Sequence, residues 1–97
     1  MKNADSIIRK DIIFHGRVQG VGFRYYSVQG ATALGLTGTV DNLYDGTVHM
    51  EVQGTEEAID RLIIFLQQRR YVVIDSMDVR SLPVVDGEYS FREKDSW

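Results

Sequence analysis

The chain has 97 residues, of which 43% are hydrophobic, with one proline, no cysteine and a formal charge of −3. That length suits a single domain with one core, and the composition excludes a disordered chain, a disulfide framework and thiolate chemistry. The negative balance counts against a broad nucleic-acid footprint, no apolar run reaches the ~18 residues of a membrane span, and Met1 to Asp11 lacks a signal-peptide core, so a soluble cytoplasmic protein is expected.

Asp11 to His15 is β-branched or aromatic and predicts a first strand. A glycine-rich loop follows. From Phe23 to Leu34 the apolar positions Phe23, Tyr26, Val28, Ala31 and Leu34 fit a helix; Gly30 weakens it by roughly 1 kcal/mol, and Gly35 suits its end. Leu36, Gly38, Val40 and Asn42 then share one face of a second strand, with Thr37, Thr39 and Asp41 on the other. Asp45-Gly46 signals a hairpin. In the third strand Val48, Met50 and Val52 alternate with Thr47, His49, Glu51 and Gln53, which predicts one wet face. Thr55 caps a second helix that has Glu56 and Glu57 in its first turn. Its buried stripe is Ile59, Leu62, Ile63 and Leu66, and Arg69 and Arg70 fall at its end. Val73 to Leu82 holds a fourth strand, and Tyr89 to Glu93 adds a short edge strand. The order predicts an α+β, ferredoxin-like βαββαβ sandwich, an antiparallel sheet with both helices on one face. Residues 1–97 form one domain in this reading, and residues 1–10 are expected to be a poorly ordered extension.

The loop Gly16-Arg17-Val18-Gln19-Gly20-Val21-Gly22-Phe23-Arg24 packs three glycines and two arginines into nine positions. Glycine lets the backbone turn tightly and approach a ligand, and successive N–H groups in such turns make an anion-binding nest. The loop joins a strand to a helix, whose N-terminus adds unpaired donors. A guanidinium matches phosphoryl oxygens with two parallel bonds. In a right-handed βαβ unit the first two strands run parallel. Asn42, at the end of the second, therefore aims at the loop mouth although 18 positions separate it from Arg24.

These residues, with Ala33-Leu34-Gly35-Leu36, the Gly38-x-Val40-x-Asn42 pattern and Asp45-Gly46-x-Val48, resemble the acylphosphatase family from about Ile12 to Leu66. The resemblance implies the same sandwich fold and hydrolysis of small acyl phosphates to carboxylate and inorganic phosphate, without cofactor or metal. It implies that the loop backbone at Gln19, Gly20, Val21, Gly22 and Phe23 binds the phosphoryl group with Arg24, and that Asn42 orients the attacking water. The expected partner is a small acyl phosphate; no nucleic acid, no membrane and a monomer complete the reading.

Two positions depart from the family pattern. Thr39 stands where an aromatic residue is usual, and Asp41 where a basic or neutral one is. Alternation turns Asp41 to the opposite face, so it is expected to weaken anion binding through solvent as a distant charge. Arg17 is read as solvated, His15 as locally hydrogen-bonded and His49 as a surface residue. Tyr25 and Tyr26 are read as packing against the sheet edge, and no His, Asp or Glu spacing suggests a metal centre. The competing readings are a phosphate-binding relative without turnover, an RNA-binding module of the same fold, and the N-terminal module of a carbamoyl-phosphate-using enzyme. The RNA module would need aromatics on the third strand. The short chain opposes the carbamoyl-phosphate reading.

Overall fold

The computed structural model describes residues 6–94. The elements run β1 (Ile7–Arg17), α1 (Phe23–Ala33), β2 (Thr37–Asn42), β3 (Val48–Thr55), α2 (Glu56–Gln67), β4 (Val73–Leu82) and β5 (Phe91–Glu93). The sheet order is β4-β1-β3-β2-β5. The β1–β3, β1–β4 and β2–β3 pairs are antiparallel, so β1 and β2 run parallel to each other on either side of β3. β5 lies parallel to β2 and makes the sheet mixed rather than wholly antiparallel. β1 begins at Ile7, so residues 7–10, expected to be poorly ordered, belong to a strand; residues 1–5 lie outside the described residues.

Both helices cover one face of the sheet. Ile12 and Phe14 of β1, Val40 of β2, Val48, Met50 and Val52 of β3 and Phe91 of β5 meet Phe23, Ala31, Ile59, Leu62 and Leu66 in one core. The period-2 pattern of β3 (buried Val48, Met50, Val52) and the helical spacing of α2 account for those positions. Thr55 caps α2 by accepting from Ala58 N at 3.1 Å. Arg69 closes the other end, its Nε donating to Phe65 O at 3.0 Å. Gly30 is buried where α1 crosses α2. A Cβ there would lie 2.8 Å from Phe65 and 2.9 Å from Leu62. The helix-weakening glycine is what lets the two helices touch.

The opposite sheet face is not wet as expected. The connection from β4 to β5 crosses it. Gln53 exchanges two 2.9 Å bonds with the Val85 backbone, and Glu88 meets Arg9 at 2.8 Å. Arg9, only 5% exposed, also donates to Glu51 and Gln53. Its hydrogen bond to Glu88 outweighs burial and raises the guanidinium further, and the same bond holds Glu88 below its ordinary value.

Candidate active site

Leaving β1, the chain turns through Gly20 and Gly22 into α1. Gly22 has φ +81°, in the left-handed region where a side chain is disfavoured, and it occupies the N-cap of α1. No side chain caps this helix and its first turn holds no acidic residue. Tyr26 N makes the first intrahelical bond, to Gly22 O at 3.0 Å. The N–H groups of Phe23, Arg24 and Tyr25 therefore point out of the helix start, an electropositive end suited to an anion. Phe23 is 1% exposed and packs on Phe14, ring centroids 5.0 Å apart, which fixes the helix start on the sheet.

These donors face an open cavity of about 310 Å³ lined by Val18, Gln19, Gly20, Gly22, Phe23, Arg24, Tyr25, Asn42 and Glu93. The cavity thus brings together Arg24 and Asn42 with four of the five loop positions named from sequence. Val21 is the exception; it is half-buried and packs against the core. Asn42 closes β2 opposite Val48. Its Oδ1 is buried and has no hydrogen-bond partner among the described residues, an arrangement that costs about 1–3 kcal/mol unless a ligand or water uses the acceptor.

Two contributors are not legible in the motif. Gln19, read as a backbone donor, also uses its side chain: Nε2 donates to Leu43 O at 2.7 Å and to Thr47 O at 2.9 Å. It ties the loop to the β2–β3 hairpin that carries Asn42. The hairpin is closed on its own side by Asp45 Oδ1, which accepts from Thr47 N and Oγ1 and is thereby held below the usual carboxylate range. Glu93 enters from β5 and forms an ion pair with Arg24 at 3.4 Å. Its strand is three residues long, and it follows Phe91, which is buried two positions earlier.

The tyrosines divide. Tyr26 packs edge-on to Phe65 of α2, ring centroids 6.4 Å apart, rather than against the sheet edge. Tyr25 does not pack away: it is exposed, accepts a 2.8 Å bond from Gln29 and forms part of the cavity wall. Arg17 is exposed, and His15 pairs with Asp78 across the β1–β4 edge at 2.8 Å.

His49 and Asp41 are where the sequence reading fails. Asp41 does face away from the loop, but it is neither free nor solvated. His49 bridges it at 3.2 Å through Nδ1 and reaches Asp11 at 2.6 Å through Nε2, with all three side chains largely buried. A ring that meets a carboxylate oxygen at both nitrogens needs two N–H donors, hence the imidazolium. Burial opposes that charge, but the bonds to Asp11 and Asp41 outweigh it and raise His49 above its ordinary value. Burial likewise works against the Asp11 carboxylate, and His49 with Arg80 outweighs it, so Asp11 titrates below its ordinary range. Asp11, His49 and Glu51 bring ligand-type atoms within 4.8 Å of one another. Sequence spacing hides the group because the residues come from β1 and β3. It lies on the sheet face away from the helices, and its atoms are engaged with Arg9, Arg80 and one another. The RNA reading needs base-stacking aromatics where this charged network stands.

Comparison with known proteins follows the same lines. The Acylphosphatase family model matches residues 10–92. A protein of Bifidobacterium longum named acylphosphatase is 38% identical over 87 residues, which is 89% of this chain and 90% of that one. One of Clostridium beijerinckii, named likewise, is 40% identical over 89 residues, or 91% and 99%. The crystal structure of acylphosphatase from Bacillus subtilis superposes with a TM-score of 0.81 at 30% identity, covering 90% of this chain and 98% of that one.

Proposed function

This chain belongs to the acylphosphatase family, and from that premise we propose which of its groups carry the reaction. It is a hydrolase that cleaves acyl phosphates and releases inorganic phosphate. The phosphoryl group sits in the loop, its oxygens taking the backbone N–H groups between Gln19 and Phe23 and the Arg24 guanidinium. Water attacks phosphorus as the bond from phosphorus to the acyl oxygen breaks. The electron pair stays on the departing carboxylate, a weak base that needs no general acid. The proton of the water passes to a phosphoryl oxygen or to solvent. Asn42 orients that water through its side-chain amide, which turns a lone pair toward phosphorus.

The observation that carries this reading is the shared cavity, which an uncapped helix start, the Arg24 guanidinium and Asn42 all line. Phosphoryl transfer asks a protein for positioning and charge stabilisation more than for covalent help, and these groups supply both. Tyr25 offers the acyl group an exposed aromatic edge. The net charge of −3 fits a small anionic substrate held by one helix start and one guanidinium better than a polyanion. We place the enzyme in the cytoplasm as a monomer; no helix among the described residues is long and apolar enough to cross a membrane.

The test is hydrolysis of benzoyl phosphate. Arg24→Ala is expected to lose ~100-fold or more in kcat/KM, the cost of losing one donor to a developing charge. Arg24→Lys is expected to fail as well, because an ammonium cannot make the forked contact. Turnover near wild type in either folded variant overturns the assignment. Activity is expected to survive EDTA, and a loss that Mg²⁺ restores would refute a reaction carried by these side chains alone.

A further inference from the structure

We propose that Glu93 is a resident counter-ion of Arg24, a carboxylate that the substrate's phosphoryl group displaces from the guanidinium and that speeds the departure of product phosphate. The inference rests on the phosphoryl site proposed above.

The fold puts Glu93 there by register. β5 pairs with β2 in parallel, Gly38 opposite Phe91 and Val40 opposite Glu93. Gly38 N donates to Ser90 O at 3.0 Å and Lys94 N to Val40 O at 2.9 Å, so the short strand is fixed at both ends. Phe91 is buried in the core on the helix side, and period-2 alternation sends Glu93 to that same side. Val40 and Asn42 face that side too. The carboxylate thus arrives at the cavity wall beside Asn42 and Arg24.

A pair built for stability looks different in this chain. Arg9 and Glu88 meet at 2.8 Å with side chains 5% and 21% exposed. Arg24 and Glu93 are 3.4 Å apart, beyond the usual ~2.7–2.9 Å of a charge-assisted bond, and are 38% and 49% exposed. Such an exposed pair holds weakly, so a dianion with several acceptor oxygens outcompetes it for the guanidinium. Once displaced, Glu93 still lines the cavity. An ionised carboxylate has no hydrogen to donate; toward a phosphoryl oxygen it offers only repulsion. Affinity for inorganic phosphate is thereby held down without touching the donors that stabilise the transition state.

The experiment is calorimetric titration of inorganic phosphate into wild type, Glu93→Gln and Arg24→Ala, with benzoyl phosphate kinetics in parallel. Gln keeps the size of the side chain and an oxygen for Arg24 while removing the charge. Glu93→Gln is expected to lower the phosphate Kd about tenfold in dilute buffer, the scale of one unit charge against a dianion ~8 Å away across largely solvent-filled space with a dielectric of about 60. The gain should shrink with added salt, and KM should fall by a similar factor. An unchanged Kd would overturn the proposal, and so would a raised one, which would mean that Glu93 serves to hold Arg24 in place. Arg24→Ala separates the two readings. If it still binds phosphate and turns over, the phosphoryl site itself is misplaced. If it loses both while Glu93→Gln binds no tighter, only the role of Glu93 fails.

Discussion

His49→Leu is expected to destabilise the protein in a pH-dependent way. The ring links β1, β3 and β2 through Asp11 at 2.6 Å and Asp41 at 3.2 Å. The charged and titratable groups around it are Asp11 from β1, Arg80 from β4, Glu51 on β3, Asp41 from β2, and Arg9 behind Glu51. A hydrogen bond to a charged group contributes ~1.5–3 kcal/mol. Two such bonds, discounted for the partly solvated edge of the cluster, give about 2–3 kcal/mol. For a domain of this size that lowers Tm by about 10–20 °C. The folded state raises His49 above its ordinary value of 6.5. Its contribution is therefore fully present below the unfolded value and is lost as pH rises through the folded one. Asp11 is depressed, so its contribution is present above its unfolded value and lost as pH falls. The cluster is complete only between those limits. Thermal unfolding of wild type and His49→Leu from pH 5 to pH 9.5 is the assay, with the imidazole followed by NMR. The gap between the two proteins should be widest near pH 5.5–6 and close to less than ~1 kcal/mol in alkali. His15 supplies the control: its pair with Asp78, at 2.8 Å, falls between the two His49 distances but is exposed on both sides, so His15→Gln should cost less than ~1 kcal/mol. A constant gap across pH, or an equal loss from both substitutions, would refute the reasoning.

Asn42→Ala should lower kcat by more than tenfold while phosphate affinity changes little, because orienting water serves the transition state; a proportional loss of affinity would make Asn42 a phosphate ligand. Gln19→Ala should cost about 1–2 kcal/mol through its two bonds to the hairpin and lower kcat several-fold as Asn42 loses its fixed distance to the loop. Gln19→Glu should be worse than Gln19→Ala in urea titrations, since a carboxylate cannot donate to the carbonyls of Leu43 and Thr47. Gly30→Ala, a favourable change in an isolated helix, should destabilise by ~1–3 kcal/mol because its Cβ meets Phe65 and Leu62; a gain in Tm would show that the two helices simply move apart.

The helix-facing half of the molecule was open to reading from sequence because its rules are local. Alternation in β3, the Thr55 cap and the apolar stripe of α2 each depend on neighbours a few positions away. The loop and Asn42 converge by one topological rule, the handedness of the βαβ crossover. The sheet face away from the helices is misread for the converse reason. His49 and Asp41 are ordinary wet-face residues until Asp11 and Arg80, 38 and 31 positions from His49, are brought alongside. The polar side of β3 looks solvated until the chain beyond β4 is known to cross it and to set Val85 and Glu88 on Gln53 and Arg9. Glu93 is hidden twice over, by distance and by a strand of three residues too short to show a period.

The β5–β2 pairing also divides the supports of the site into near and distant ones along the chain. Arg24 and Asn42 lie in the first half of the chain, and their supports, the Gln19 bonds and the Asp45 turn, span no more than 28 positions. β5 reaches β2 only after the chain has passed β4 and crossed the sheet, closing a contact between Gly38 and Phe91. Closures across such separations are slow, because loop entropy opposes them until the final contacts form. The loop and the water-orienting amide are tied together by short-range bonds, whereas Glu93 is delivered by a contact that spans 53 positions. Loosening β5 should therefore withdraw the carboxylate from Arg24 while the Gln19 bonds between loop and hairpin persist.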